Sequence, residues 1–266
     1  MMLTSRNNPA VKAIRALRQR KEREASGLFF IEGIRIVTEA VRMGARLETL
    51  VVAPDLLRSE FARTLVAGQQ AAGVAVLEVS ADVFESLSSK DGPQGLAAVG
   101  RQQWGTLDQL DPDRGLCWLA LSAISDPGNL GTILRTSDAV GGAGVILLGD
   151  STDPYDPATA RASMGALFTQ KLVRASWAEF SAWKRSSGWQ VVGAADSAPT
   201  HYRDLRFGRP LILLMGSERE GLSTEQQFLC DAMVSLPMLG QADSLNLAVA
   251  TGVLLYEVLH QRGGTR

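Results

Sequence analysis

The chain has 266 residues, of which 45% are hydrophobic and 21% charged, which fits a globular protein with two ordinary domains or one large one. Two distant cysteines, Cys117 and Cys230, exclude a disulfide framework and a paired-cysteine metal site, and His201 and His260 are too few and too scattered for zinc. A net charge of −1 and a pI near 6.2 exclude a chain basic throughout, while no apolar run nears the ~18 residues of a membrane span and residues 1–6 lack a signal-peptide core. The expectation is a reduced, cytoplasmic protein with no metal and no membrane partner.

Asn7-Asn8-Pro9 reads as a cap with proline in the first turn, opening a helix that runs to about residue 23. Charge is concentrated here: Arg6, Lys12, Arg15, Arg18, Arg20, Lys21 and Arg23 are opposed only by Glu22 and Glu24. Such a stretch is either a patch that recruits a polyanion or the solvated face of an amphipathic helix with Val11, Ile14 and Leu17 inward. Strand and helix then alternate: strand 28–31, helix 34–43, strand 47–53, helix 57–71, strand 74–79, short helix 82–87, strand 95–99. This predicts a compact α/β domain over 1–101, with Glu32-Gly33 and the polar loop 88–94 as connections that could line a binding face.

Residues 102–114 carry the Pro, Gly and Asp punctuation of a linker, so a second domain is placed at 115–266. Its strands are more apolar: 116–124 is nearly continuous, as expected of a strand covered on both faces. Helices at 129–140, 157–168, 177–186 and 224–230 alternate with strands at 145–148, 171–174, 190–194, 210–215 and 233–236. A long closing helix follows, with Val249, Val253 and Tyr256 at helical spacing. The pattern predicts a mostly parallel sheet with helices on both faces.

In such sheets ligands bind beyond the carboxyl ends of the strands. Three polar stretches stand there: Ser125-Asp126-Pro127-Gly128-Asn129-Leu130-Gly131 with Arg135; Gly216-Ser217-Glu218-Arg219-Glu220-Gly221-Leu222-Ser223; and Leu236-Pro237-Met238 with Ser244-Leu245-Asn246. A dinucleotide fingerprint fails, because Gly142-Ala143-Gly144 precedes a strand and meets Leu147 where a glycine is needed. No Gly-Lys-Ser/Thr phosphate loop exists, and neither histidine lies at a strand end to serve a serine nucleophile. Arg135 presents the guanidinium fork suited to phosphate or carboxylate. Ser244 reads either as the N-cap of the closing helix or as a ligand contact, and Glu218 either as a helix-start carboxylate or as a site residue.

Taken in order, the three stretches resemble the motifs of the SpoU-type (TrmH-like) RNA ribose 2′-O-methyltransferases of the SPOUT class. Pro154-Tyr155-Asp156-Pro157, Arg161-Ala162-Ser163-Met164-Gly165, Phe168 and Tyr256-Glu257 also match, while Val140 before Gly141 and Leu247-Ala248 depart from the pattern conservatively. Ser5, Asn8-Pro9 and Phe30-Ile31-Glu32-Gly33 are similar, more loosely, to the ribosomal-protein-like substrate-binding domain of many members. The resemblance implies a carboxyl-terminal trefoil knot, against the usual absence of knots, and a homodimer packed through the knotted domain, with Arg135 completing a site with the partner chain. It implies S-adenosylmethionine as cofactor, held around Leu214, Gly216, Leu236, Met238 and Leu245, and catalysis by Asn129, Arg135, Glu218, Ser244 and Asn246. RNA, ribosomal RNA above all, is the implied substrate, and DNA is not expected. Lys12, Arg15, Arg18, Arg35 and Arg161 are the expected RNA contacts. A transfer-RNA substrate, or a non-catalytic RNA-binding or ribosome-assembly protein of the same fold, are the alternatives.

Overall fold

The computed structural model describes residues 2–89 and 91–263. It divides into two units, one built from the residues up to Gln102 together with Tyr155–Phe168, the other from Gln103–Pro154 and the residues from Thr169 onward.

In the first unit α1 (Pro9–Ala16) is capped by Asn8 and followed by α2 (Arg20–Ser26). The single helix expected over this stretch is broken, and Arg23 explains how the break is tolerated. Its guanidinium is buried and donates to the backbone oxygens of Leu17 and Arg18, both at 2.9 Å, satisfying carbonyls that the end of α1 leaves open. The strands β1 (Leu28–Glu32), β2 (Leu47–Val52), β3 (Ala75–Glu78) and β4 (Leu96–Arg101) form a sheet in the order β1-β4-β2-β3, parallel only between β2 and β3. Three helices connect them: α3 (Ile34–Arg42), α4 (Glu60–Ala71) and α5 (Ala81–Leu87). Val11, Ile14, Phe30, Val51, Phe84 and Val99 meet in the core, so α1 does bury the apolar stripe its spacing announced.

The segment Tyr155–Phe168 belongs to this unit although it lies within the second half of the sequence. Tyr155 and Phe168 both pack on Phe29, at centroid distances of 4.9 and 6.2 Å. The helix expected over 157–168 stops as α7 (Pro157–Ala162), because Met164 and Gly165 take positive φ before a 3₁₀ turn at Ala166–Phe168. At Gly165 a Cβ would lie 2.9 Å from that of Glu39, so glycine is required by space as well as by φ.

The second unit begins with residues of the expected linker, which are ordered. Gly105 N–H bonds the Leu172 oxygen beside the edge strand at 2.8 Å, and Leu110 is buried in the core. The sheet contains β5 (Trp118–Ser122), β6 (Gly144–Leu148), β7 (Lys171–Ala175), β8 (Gln190–Ala194), a short β9 (Thr200–His201), β10 (Leu211–Met215) and β11 (Ala232–Ser235). Its seven strands lie in the order β7-β6-β5-β10-β8-β11-β9, and every pairing is parallel. The parallel sheet with helical connections is therefore as expected. Only β9 lacked a signal, being two residues long at the edge. Crossovers include α6 (Pro127–Ala139), α8 (Trp177–Ser186) and α9 (Thr224–Leu229), and the chain closes with α10 (Leu247–Gln261), which packs on α6. Because the strands run in one direction, the carboxyl ends of β5, β10 and β11 open on the same edge of the sheet, where the three polar stretches emerge.

Candidate functional site

At the end of β5 the chain leaves through Ala123, whose φ of 52° is rare for a residue with a side chain, and enters α6. Asp126 caps that helix by accepting from Asn129 N–H at 2.6 Å, and Pro127 occupies the first turn where no N–H is needed. Beyond β10 the chain turns at Gly216. A Cβ there would fall 2.1 Å from the carbonyl carbon of Gly221, so the tight return of Gly216–Gly221, closed by paired backbone bonds between Ser217 and Gly221 at 3.1 Å, needs glycine. This turn aims Glu218 at the start of α6.

Glu218 collects four donors. Ser125 N–H and Ser125 Oγ bond its Oε2, and Asp126 N–H and Asn129 Nδ2 bond its Oε1, all at 3.2 Å. Burial pushes this carboxyl up, but its own backbone N–H, Ser125, Asn129 and Asp126 together outweigh that and hold it below the ordinary carboxylate range. An ionised carboxylate only accepts, so Asn129 must turn its amide nitrogen to Glu218 and its oxygen the other way. That oxygen receives Asn246 Nδ2 at 2.9 Å, which in turn directs Asn246 Oδ1 onto the N–H groups of Ala248 and Val249, at 2.9 and 3.4 Å. The three stretches are thus joined by one directed chain of hydrogen bonds, Asn246 to Asn129 to Glu218. The cap of α10 is Asn246; Ser244 lies two residues before it, exposed, and does not fill the N-cap position.

Arg135 lies on α6, exposed, and its side chain makes no hydrogen bond or ion pair among the described residues. The resemblance implies that Asn129 orients either Arg135 or the ribose, and no hydrogen bond joins Asn129 to Arg135 among the described residues. Among the other expected residues, Leu214 is wholly buried in the core with Ala120 and Ile212, so only its backbone could face a ligand. Leu236, Met238 and Leu245 are partly or fully exposed in the stretch 236–246, which contains neither helix nor strand. Apolar side chains with irregular backbone at the end of a strand suit a flat adenosine-bearing molecule. Among the described residues no cluster of His, Cys, Asp or Glu could hold a metal ion, and no helix is long and apolar enough to cross a membrane. Ser125 was not singled out from sequence, although its hydroxyl and N–H supply half of the donors on Glu218; its place directly before a helix cap at a strand end was the available signal.

The expected RNA contacts all fall in the first unit. Lys12 and Arg35 are exposed with no side-chain partner among the described residues. Arg15 and Arg18 are instead engaged: Arg15 donates to Ser86 Oγ at 2.8 Å, and Arg18 to the oxygens of Leu87 and Ser88 at 2.8 and 2.6 Å, at the carboxyl end of α5. Arg161 donates to Ser89 Oγ at 3.1 Å.

Comparison with known proteins gives the same reading of these motifs. Residues 117–256 match the model of the SpoU rRNA Methylase family, and residues 8–98 match that of the MRM3-like substrate binding domain. The chain is 33% identical, over 98% of its length and 92% of the relative's, to the 23S rRNA (uridine(2479)-2′-O)-methyltransferase of Streptomyces viridochromogenes. It is 30% identical to the 23S rRNA (guanosine(2553)-2′-O)-methyltransferase RlmP of Bacillus subtilis, over 98% of this chain and 99% of that one. The solved structure of the AdoMet-bound rRNA methyltransferase from Sinorhizobium meliloti superposes with a TM-score of 0.89 at 39% identity, covering 98% of this chain and 97% of that one. The chain belongs to the SpoU rRNA methylase family.

Proposed function

We propose that this protein is an S-adenosylmethionine-dependent methyltransferase acting on a ribose 2′-hydroxyl of large-subunit ribosomal RNA in the cytoplasm. The observation that carries the reading is the directed chain Asn246 to Asn129 to Glu218, which unites residues from three separate motifs at the carboxyl edge of a parallel sheet. Relatives sharing the full length of the chain methylate 23S rRNA at ribose, and the solved relative binds AdoMet. When bound, the cofactor supplies an electrophilic methyl on a sulfonium sulfur. The backbone around Gly216, Leu236, Met238 and Leu245 holds it, in a carboxyl-terminal segment that we take to be knotted as in the family.

A ribose hydroxyl is a weak nucleophile, so the chain's own residues must hold it in line and let its proton leave. Guanidinium groups are not deprotonated in proteins, so Arg135 acts as a cation rather than a base. Its unengaged fork grips the phosphate next to the target ribose, and the hydroxyl proton passes to that phosphate or to water. Glu218 stays ionised and fixes the amide of Asn129, while Asn246 transmits the same orientation to the start of α10; Ser244 lies exposed beside it. RNA is gathered by the first unit through Lys12 and Arg35, with Arg15, Arg18 and Arg161 contributing the N–H groups that α5 and Ser89 leave available. The functional form is a homodimer: α10 exposes Val249 at 52% and Tyr256 at 55%, two apolar side chains seven positions apart on one helix face.

The test is transfer of tritiated methyl from S-adenosylmethionine to 23S rRNA, with the product mapped as a gap in alkaline cleavage. Incorporation at one ribose is expected. Cofactor binding without incorporation into 23S rRNA overturns the reading, and incorporation into transfer RNA instead would move the substrate.

A further inference from the structure

The turn that carries Glu218 is held to the end of β5 at a second place. Its outgoing limb, Gly221-Leu222-Ser223, runs into α9, where Ser223 and Gln226 cap reciprocally: Gln226 N–H donates to Ser223 Oγ at 3.3 Å, and Ser223 N–H donates to Gln226 Oε1 at 2.9 Å. A capping box needs only an acceptor on that side chain, and glutamate would serve it equally. Gln226 does more. With Oε1 committed to Ser223, its amide nitrogen points away from the cap, and Nε2 donates to Ser122 Oγ at 2.7 Å. Ser122 is the last residue of β5, only 8% exposed, and is paired there with Leu148 of β6. The next side chain, Gln227, donates from Nε2 to the Leu222 oxygen at 2.9 Å, so both residues that lead into α9 are fixed from within that helix.

We propose that Gln226 is a positioning residue for methyl transfer: through Ser122 it sets the place of the loop from which Glu218 orients Asn129. The proposal rests on the methyltransferase reading given above. The loop is tied twice to one short stretch of chain, since Glu218 accepts from Ser125 and Asp126 while Gln226 donates to Ser122. One tie would leave a loop flanked by glycines at 216 and 221 free to swing about it, and the second removes that freedom. Gln226 needs no contact with either ligand. Its effect reaches the site through the four bonds on Glu218, all at 3.2 Å, which is the long end of the range for such bonds, so a small displacement of the loop loses them. A misplacement of about 1 Å by a change away from the chemistry can slow a reaction about 100-fold. Loss of a single neutral tie, with the loop still held by β10, is expected to cost less, about fivefold.

The experiment uses the full chain with nitrogen-labelled asparagine side chains and compares wild type, Gln226→Ala, Ser122→Ala and the double variant. Ser122→Ala keeps the capping box and removes only the tie, so it separates positioning from helix capping. In both single variants the side-chain amide protons of Asn129 are expected to move upfield as their bond to Glu218 lengthens. Single-turnover methyl transfer at saturating S-adenosylmethionine and 23S rRNA is expected to fall about fivefold with RNA affinity unchanged, and the double variant should be no slower than Gln226→Ala. An effect of Gln226→Ala that Ser122→Ala does not share would reduce Gln226 to a helix cap. A slower rate with the Asn129 amide unmoved would route the effect elsewhere. Either result overturns the proposal, as do unchanged rates. Absence of methyl transfer by the wild type would count against the proposed activity, while the amide spectrum, which needs no transfer, still decides whether the tie to Ser122 places Glu218.

Discussion

Removing the side chains of Asn129 and Asn246 singly and together tests whether the hydrogen-bonded chain is a working unit. Asn129→Ala loses one bond to a carboxylate and one to an amide, at 3.2 and 2.9 Å. Bonds to charged groups contribute about 1.5–3 kcal/mol and neutral ones about 0.5–1.5 kcal/mol. Asn129 is half-buried and Asn246 exposed, so the lower ends apply and the loss is about 2 kcal/mol. If that energy positions groups for transfer, the single-turnover rate falls about 30-fold, at about 1.4 kcal/mol per decade. Asn246→Ala loses the neutral bond and the cap of α10, again about 1–2 kcal/mol and about tenfold. The bond between them is lost in either variant, so the double variant should fall short of the product of the two effects by about threefold, a coupling of about 0.6 kcal/mol. Single-turnover transfer of tritiated methyl measures all four corners, with cofactor affinity measured by calorimetry alongside. Effects that multiply within experimental scatter, or rates that do not fall, would refute the claim that these amides act together.

Arg135→Ala should abolish transfer while cofactor affinity stays within about twofold; an active variant refutes the phosphate-gripping role, and inactivity would not trace to a lost structural bond, since the guanidinium has no partner among the described residues. Replacing Lys12 and Arg35 by Ala should reduce the slope of log affinity for RNA against log salt by about one to two, and a filter-binding series with unchanged slope would place the RNA surface elsewhere. Glu218 has a folded pKa below its unfolded value of about 4.3, so its stabilising contribution is present above that value and disappears as pH falls through the folded one. Melting curves of wild type and Glu218→Gln should therefore keep a constant separation from about pH 8 to pH 5 and converge only in more acid solution; a separation that closes near neutrality contradicts the ionised carboxylate. Burial pushes the Cys117 and Cys230 thiols up to about 12, so neither should react with iodoacetamide at pH 8 in the native protein, as read by mass spectrometry.

What could be read from residues alone divides along a physical line. Periodicity located nearly every helix and strand of the second unit, because its strands are buried on both faces and its helices end at capping residues: Ser176 and Glu179 bracket the start of α8 reciprocally, and the predicted range matches the observed helix. The misreadings share a cause. Residues 8–23 have unbroken helical spacing, yet the helix stops because a buried arginine from the next element takes over its carbonyls. Residues 157–168 read as one helix, yet Met164 and Gly165 reverse φ so that Phe168 can reach Phe29. Both depend on partners far away in sequence, which local spacing does not encode. At the site, the residue types and their strand-end positions were visible, but not which amide faced which carboxylate; that Asn129 serves Glu218 and Asn246 rather than Arg135 is a matter of side-chain direction alone.

That direction has a consequence for how the site is assembled. The Glu218 turn is fixed by the crowding of Gly216 against Gly221, and from that point every bond in the chain has one permitted sense, since a carboxylate cannot donate. Asn129 is thereby prevented from rotating its amide, and Asn246 from presenting its oxygen anywhere but at the first N–H groups of α10. The two helices so coupled are the one that carries Arg135 and the one that exposes Val249 and Tyr256. The residue types at 129, 218 and 246 are then a demand of geometry: a side chain at 129 that could not both donate to Glu218 and accept from Asn246 would untie the start of α10 from α6, and with it the alignment between Arg135 and the exposed face of α10.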